Sequence, residues 1–302
     1  DKMVEGGLEK FMLKVFGYSK KWSDMVIPKF SRNADRVTAS SVKWLKNRTG
    51  DKPFFMWLHY FDAHDHFRLP KPLHLYYYRR RDYKKSIEYI DKNLGKLVKY
   101  LKDKGQFDKT IFVVTSDHGE ILNEYEYLGQ KYRGHAPMAY ELTLKVPLIF
   151  SGAGIKSDGM IKTTFRHIDL MPTIISLAGV DSNNYAHIEG EDLSGVLHGE
   201  GEKNGEPCIY AETIHPTTKG QPEWRVMIRG KWKFVLKPQA KEEILYDLEN
   251  DPMEKTNVIM ENGDIASELR DALLDVIRND KVLKDESQNP EVRKALEALG
   301  YM

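Results

Sequence analysis

The stretch TIFVVTSDHGE, Thr110 to Glu120, carries an apolar, β-branched run straight into Asp117 and His118. A carboxylate and an imidazole in succession, where a strand breaks into a loop, can both bend toward one cation, and Gly119 lets the chain turn sharply behind them. The plainer reading makes Asp117 a cap of the next turn and His118 a loop histidine, since a two-residue pair is a weak motif without its context. Oxygen ligands suit Ca2+ or Mg2+, whereas imidazole shifts the preference toward Mn2+ or Zn2+. His64 and His66 in DAHDHF have the i, i+2 spacing that zinc accepts, although loop histidines beside aromatic residues more often pack or hydrogen-bond. His135 lies in YRGHAPMAYE with Lys131 and Arg133, which reads as a loop. A positive group there holds an anionic oxygen or protonates a leaving group, unless the segment is simply an exposed basic loop.

Elements of two periods must position these residues. Val37, Val42, Trp44 and Leu45 have helical spacing before Gly50. Ile87, Ile90, Leu94, Leu97, Val98 and Leu101 share one face of a helix that ends at Gly105. Between them, PFFMWLHYF reads as a buried strand over about 54–60, and Ile111 to Thr115 as a central strand covered on both faces. Strand, helix and strand in that order imply a right-handed parallel crossover. KVPLIFSG adds a third short strand, and RHIDLMPTIISLAGV a helix finishing at Gly179. The expected fold is therefore α/β, a layered αβα domain around a mixed, mostly parallel sheet. After a glycine-rich charged stretch the texture changes. CIYAET and EWRVMIRGKWKFVLKP alternate, with a hairpin turn at Arg229-Gly230-Lys231, and helices are expected over about 265–277 and 290–299. This predicts an α/β domain over 1–204 and a small subdomain of antiparallel sheet and helix over 205–302.

Lysine and arginine number 46 against 45 acidic residues, so no broad field points to nucleic acid or an anionic membrane. The single cysteine, Cys208, excludes an internal disulfide and a cysteine-based metal cage. No run approaches the roughly 20 apolar residues of a transmembrane helix. The chain opens on Asp1, and DKMVEGGLEK has neither the apolar core nor the cleavage pattern of a signal peptide.

The order of these motifs resembles the sulfatase family of the alkaline phosphatase superfamily from about residue 35 to about residue 260. The resemblance implies that Asp117 and His118 are metal ligands, usually of Ca2+ in that family, with Mn2+ or Zn2+ as alternatives. It implies that His64 contacts the ester near its leaving-group oxygen and that His135 binds the sulfate oxygens. Asp169 and Thr173 then tie a helix to the sheet, and Asp247, Asp251 and Asn257 belong to the C-terminal scaffold. The implied substrate is an anionic ester of a sugar, lipid or aryl compound, bound without nucleic acid. Tyr76 to Tyr78 and Arg79 to Arg81 could stack on a sugar and pair with its acidic groups, or form a solvated stretch before the helix.

One departure is large. Sulfatases carry two further aspartate ligands and a Cys/Ser-x-Pro-x-Arg segment, whose first residue becomes formylglycine, near their N-terminus. No such segment occurs in this sequence, and Cys208 sits in GEPCIYAET without the required proline and arginine. The chain is thus expected to be the C-terminal two-thirds of a sulfatase, inactive alone, with formylglycine only in an upstream segment. A missing central strand would leave a sheet edge open to self-association. The rival readings are a phosphonate or phosphate ester hydrolase, a phosphoethanolamine or phosphoglycerol transferase of the same superfamily, and a non-catalytic degenerate paralogue.

Overall fold

The structure is a computed structural model that describes residues 33–50, 52–64, 83–127, 130–135, 138–156, 159–181, 188–203, 205–213 and 224–279. His66, the 76–81 segment and the helix expected over 290–299 lie outside the described residues. The described residues divide into two compact units, 33–107 and 108–279. Among them, no helix is long and apolar enough to cross a membrane.

The first unit holds α1 (Ala34–Asn47) and α2 (Tyr83–Asp103). The helical period over Leu97 and Leu101 buries both residues, and Gly105 closes the helix in the left-handed region at φ +61°. Polar groups bind the pieces together. The Ala34 N–H donates to Asp62 Oδ1 at 3.2 Å, and Thr38 Oγ1 meets the Tyr60 hydroxyl at 2.9 Å while donating to the Asn93 carbonyl at 3.3 Å. The strand expected over 54–60 is not formed: among the described residues this segment pairs with no strand. Its burial still alternates with a period of two, with Phe55 and Trp57 largely exposed and their neighbours half-buried. Alternation alone makes no strand, because the ladder needs a hydrogen-bonded neighbour.

The second unit begins with β1 (Ile111–Thr115), whose partner is β4 (Leu148–Gly152), antiparallel, with Val113 opposite Phe150. The expected mostly parallel arrangement is not found among the described residues, where every strand pair is antiparallel. Gly152 permits the close register, since it lies at φ +106° and an added Cβ would come 1.9 Å from the Thr110 carbonyl oxygen. Between the two strands run the hairpin β2 (Ile121–Tyr127) and β3 (Gln130–Gly134), then the single turn α3 (Glu141–Leu144). The stretch 131–134, expected as loop, is therefore strand. Beyond β4 come α4 (Leu170–Leu177) and α5 (Ser194–Leu197).

Asp169, 1% exposed, is the hub of that region. Its carboxylate accepts the Arg166 backbone N–H, both ends of the Arg166 guanidinium and the Glu191 N–H, at 2.8–3.0 Å. Thr173 Oγ1 accepts the Leu193 N–H at 3.0 Å. These two residues tie α4 to the 190–193 segment. Burial alone would raise the Asp169 carboxyl, but the Arg166 guanidinium and the two N–H donors outweigh it and hold it below the usual carboxylate range. A lowered native pKa means stability that is fully present above the unfolded value of about 3.9 and lost as pH falls through the native one. Asp169→Asn is expected to cost about 3 kcal/mol at neutral pH, the range for removing one partner of a buried pair. Denaturant titrations should show that gap narrowing below about pH 4, and a gap independent of pH would refute the account.

The rest of the unit is the sheet β5 (Ile209–Thr213), β6 (Trp224–Arg229), β7 (Trp232–Lys237) and β8 (Glu242–Asp247), in that order, with α6 (Gly263–Asn279). Gly230, at φ +55°, makes the tight β6–β7 turn. Period two sends Met227, Phe234 and Leu245, which are cross-strand neighbours, to a core with Ala266, Leu269 and Leu273 of α6. The alternate set Val226, Val235 and Ile244 faces a second core with Ile121, Tyr125, Met138 and Ala139. Both faces are thus covered. Lys233 falls on the second face, fully buried, with Nζ 2.6 Å from the buried Glu254 carboxylate.

Candidate metal and anion site

Asp117 and His118 follow the end of β1, with a bend at Asp117. The Ser116 carbonyl meets His167 Nε2 at 3.0 Å, and the Ser116 hydroxyl donates to the His118 carbonyl at 2.7 Å. The turn is held from behind by α3: the Gly119 N–H donates to the Thr143 carbonyl at 2.8 Å. Only glycine fits here, because a Cβ on Gly119 would lie 2.0 Å from the Leu142 carbonyl oxygen.

Hydrogen bonding orients the pair. Asp117 Oδ1 accepts the His118 N–H at 3.0 Å. His118 Nδ1 lies 2.8 Å from the Gly119 carbonyl oxygen; a carbonyl only accepts, so Nδ1 carries a proton, and in the neutral ring the lone pair is on Nε2. Nε2 then lies 3.6 Å from Asp117 Oδ2. Two ligands of one ion, each about 2.1–2.4 Å from it, sit roughly 3–3.5 Å apart, so the pair suits a shared divalent cation with little adjustment. Donation of the other ring N–H to a backbone carbonyl is also the usual support of a metal-binding histidine. The residues fit a metal. Asp117 is exposed and His118 partly so, which leaves the seat accessible.

His135, just after β3, stacks on His118 with ring centroids 3.9 Å apart, and its Nδ1 lies 3.3 Å from Glu120 Oε2. His118, Glu120 and His135 place one donor atom each within 4.8 Å of one another, a nitrogen-rich set suited to Mn2+ or Zn2+ more than Ca2+. Sequence reasoning passed over Glu120 and His167. The i, i+2 spacing of His118 and Glu120 in an extended chain was a usable signal for the first. No local signal marks His167, which reaches Ser116 from 51 residues away. His64 belongs to the first unit, exposed at the turn after Phe61, with the two rings stacked at 4.6 Å.

Solved structures with this architecture include sulfatases, α/β proteins of the alkaline phosphatase type. A 2-O glycosaminoglycan sulfatase matches with a TM-score of 0.61 at 20% identity, over 85% of this chain and 66% of that one. A second structure, solved in complex with its substrate D-glucosamine-2-N,6-O-disulfate, matches with a TM-score of 0.57 at 26% identity, over 72% of this chain and 45% of that one. The sulfatase family model matches residues 5–180, and the model of the N-sulphoglucosamine sulphohydrolase C-terminal region matches residues 135–279. The chain belongs to the sulfatase family. An arylsulfatase of Clostridium perfringens is 26% identical over 74% of this chain and 53% of its own length. A choline-sulfatase of Rhizobium meliloti is 30% identical over 59% and 33%. The chain spans between about a third and a half of the length of the curated relatives it matches.

Proposed function

We propose that the protein is a metal-dependent hydrolase of sulfuric esters, with Asp117 and His118 holding the cation and His135 binding the ester's anionic oxygens. The observation that carries this reading is the convergence of Asp117, His118, Glu120 and His135 behind β1, with the His118 tautomer set by the Gly119 carbonyl. A divalent cation there supplies charge neutralisation to the ester oxygens. Glu120 accepts the Nδ1–H of His135 and so aims its Nε2 at a bound oxygen. His64 is proposed to serve the leaving-group oxygen, a role that comes from the family resemblance alone. Mn2+ or Ca2+ is the proposed ion, and a sulfated sugar the proposed substrate, because a relative 26% identical was solved with a disulfated glucosamine. The finer architecture, a mostly parallel sheet with a division near 204, is part of the same proposal.

The 302 residues contain no Cys/Ser-x-Pro-x-Arg stretch, so they offer no formylglycine precursor to form the covalent intermediate. The chain of these residues is therefore expected to bind 4-nitrophenyl sulfate without releasing nitrophenol. His135→Ala should weaken that binding by about 10-fold, the value of roughly one charge-assisted hydrogen bond. Equal affinity in both proteins would overturn the role of His135. Tighter binding of the aryl phosphate would move the reading to a phospho-ester relative. Among the described residues the β1–β4 sheet has two strands; we expect self-association of the same chain through a sheet edge, and a monomer by light scattering would count against it.

A further inference from the structure

We propose that Lys233 and Glu254, in the C-terminal part of the chain, are positioning residues for the Asp117–His118 turn and act on it through α3. Both side chains are fully buried, and Lys233 Nζ lies 2.6 Å from Glu254 Oε1 and 3.3 Å from Glu141 Oε1. The other Glu254 oxygen accepts the Glu141 backbone N–H at 2.6 Å. Glu141 is the first residue of α3, a helix of four residues. A single turn cannot hold its own shape, because helix nucleation is unfavourable without outside support. The buried carboxylate supplies that support. One and two residues further on, α3 presents the Leu142 carbonyl against Gly119 and the Thr143 carbonyl to the Gly119 N–H. The path from Lys233 to the residue beside His118 is thus one ion pair and two hydrogen bonds long.

Two observations set this apart from ordinary core packing. Buried ion pairs are commonly no better for stability than apolar side chains of the same size, so an ion pair at the centre of an apolar face calls for another explanation. Glu254 also holds a left-handed backbone at φ +50°, which a side-chain-bearing residue adopts at a cost. That backbone presents its carboxylate to Lys233 and α3 together. The same face of the sheet packs Ile121 of β2, next to Glu120, so the hairpin and α3 are both referred to one platform. The functional meaning of the inference rests on the reading of Asp117 and His118 as the cation pair; the geometric link does not.

The test compares two double variants of the whole chain. Lys233→Met with Glu254→Met removes the charges and the acceptor for the Glu141 N–H. Lys233→Met with Glu254→Gln removes the charges and keeps an acceptor oxygen. Hydrogen exchange at the Gly119 amide is expected to speed up about 10-fold in the first and to return to the wild-type rate in the second, while protection in α6 stays the same in both. Mn2+ affinity, read by electron paramagnetic resonance, should fall about 10-fold in the first and recover in the second, the usual scale for support of a ligand. Glu141→Pro provides an arm that leaves the Lys233–Glu254 pair in place: proline is well accepted at the first helical position, and it deletes the N–H that Glu254 accepts, while Glu141→Gln controls for loss of the Glu141 carboxylate 3.3 Å from Lys233. The proline variant should reproduce the Gly119 effect. Equal Gly119 exchange in all variants and wild type would overturn the proposal. A wild-type chain that binds no Mn2+ would refute the cation reading, and the exchange experiment would still decide the positioning role.

Discussion

His118→Ala is expected to lower the affinity for Mn2+ by about 100-fold or more, since even the partners of a ligand typically contribute 10–100-fold. The reason lies in the tautomer. The Gly119 carbonyl holds the Nδ1 proton of His118, so Nε2 is the ring nitrogen turned toward Asp117 Oδ2, 3.6 Å away, where an ion would enter. Titration calorimetry with Mn2+ on wild type, His118→Ala and Asp117→Asn measures this directly. Unchanged affinity in either variant would dismiss the pair as the seat. Glu120→Gln separates two arrangements of the ion. A cation held between Asp117 and His118 is little affected by it, whereas a cation among His118, Glu120 and His135 loses its only carboxylate.

Phe234→Ala is expected to destabilise the second unit by about 3–5 kcal/mol, the range for emptying a buried phenylalanine site. Phe234 is fully buried between Met227 and Leu245 and packs with Ala266, Leu269 and Leu273 of α6. The sheet is hydrogen-bonded on both sides of β7, so its backbone cannot collapse into the space left behind. Urea denaturation followed by circular dichroism should show the midpoint falling with the slope unchanged. A loss below about 1 kcal/mol would mean that the α6 contact is looser than the packing implies. Because the opposite face of this sheet carries Lys233, such a variant should leave the Gly119 amide protected until global unfolding.

Much of the element order was legible. The helices around Leu97 and Ile174, the strands at 111–115 and 148–152, the turn at Gly230 and the amphipathic α6 all follow from periods of 3.6 or two with glycine at the right places. The hairpin of β2 and β3 was not legible, because a bulge lies between Leu122 and Glu126 and Asn123 adopts φ +103°. The bulge breaks the alternation, so among Ile121 to Glu126 just Ile121 and Tyr125 are buried, and ILNEYEY reads as polar loop. The segment 54–60 failed in the opposite way. Its composition is strand-like, yet pairing is a property of two segments, and composition reports on one.

Adjacency along the chain sufficed to nominate Asp117 and His118, because neighbouring residues at a strand end need no further folding to face one ion. Glu120 lies two residues beyond His118, whereas His135 and His167 joined them only through tertiary contacts made across 15 and 51 residues. Lys233 shows the same limit from the other side. In WKFVLK it reads as the solvent-facing member of an alternation, and it is buried because Glu254 and Glu141 converge on it from distant parts of the chain. Local spacing dictates which residues share a strand or a helix face. Which of those faces meets water, an ion or another carboxylate depends on closing loops of tens of residues, and that information is carried by the packed core rather than by any short stretch of sequence.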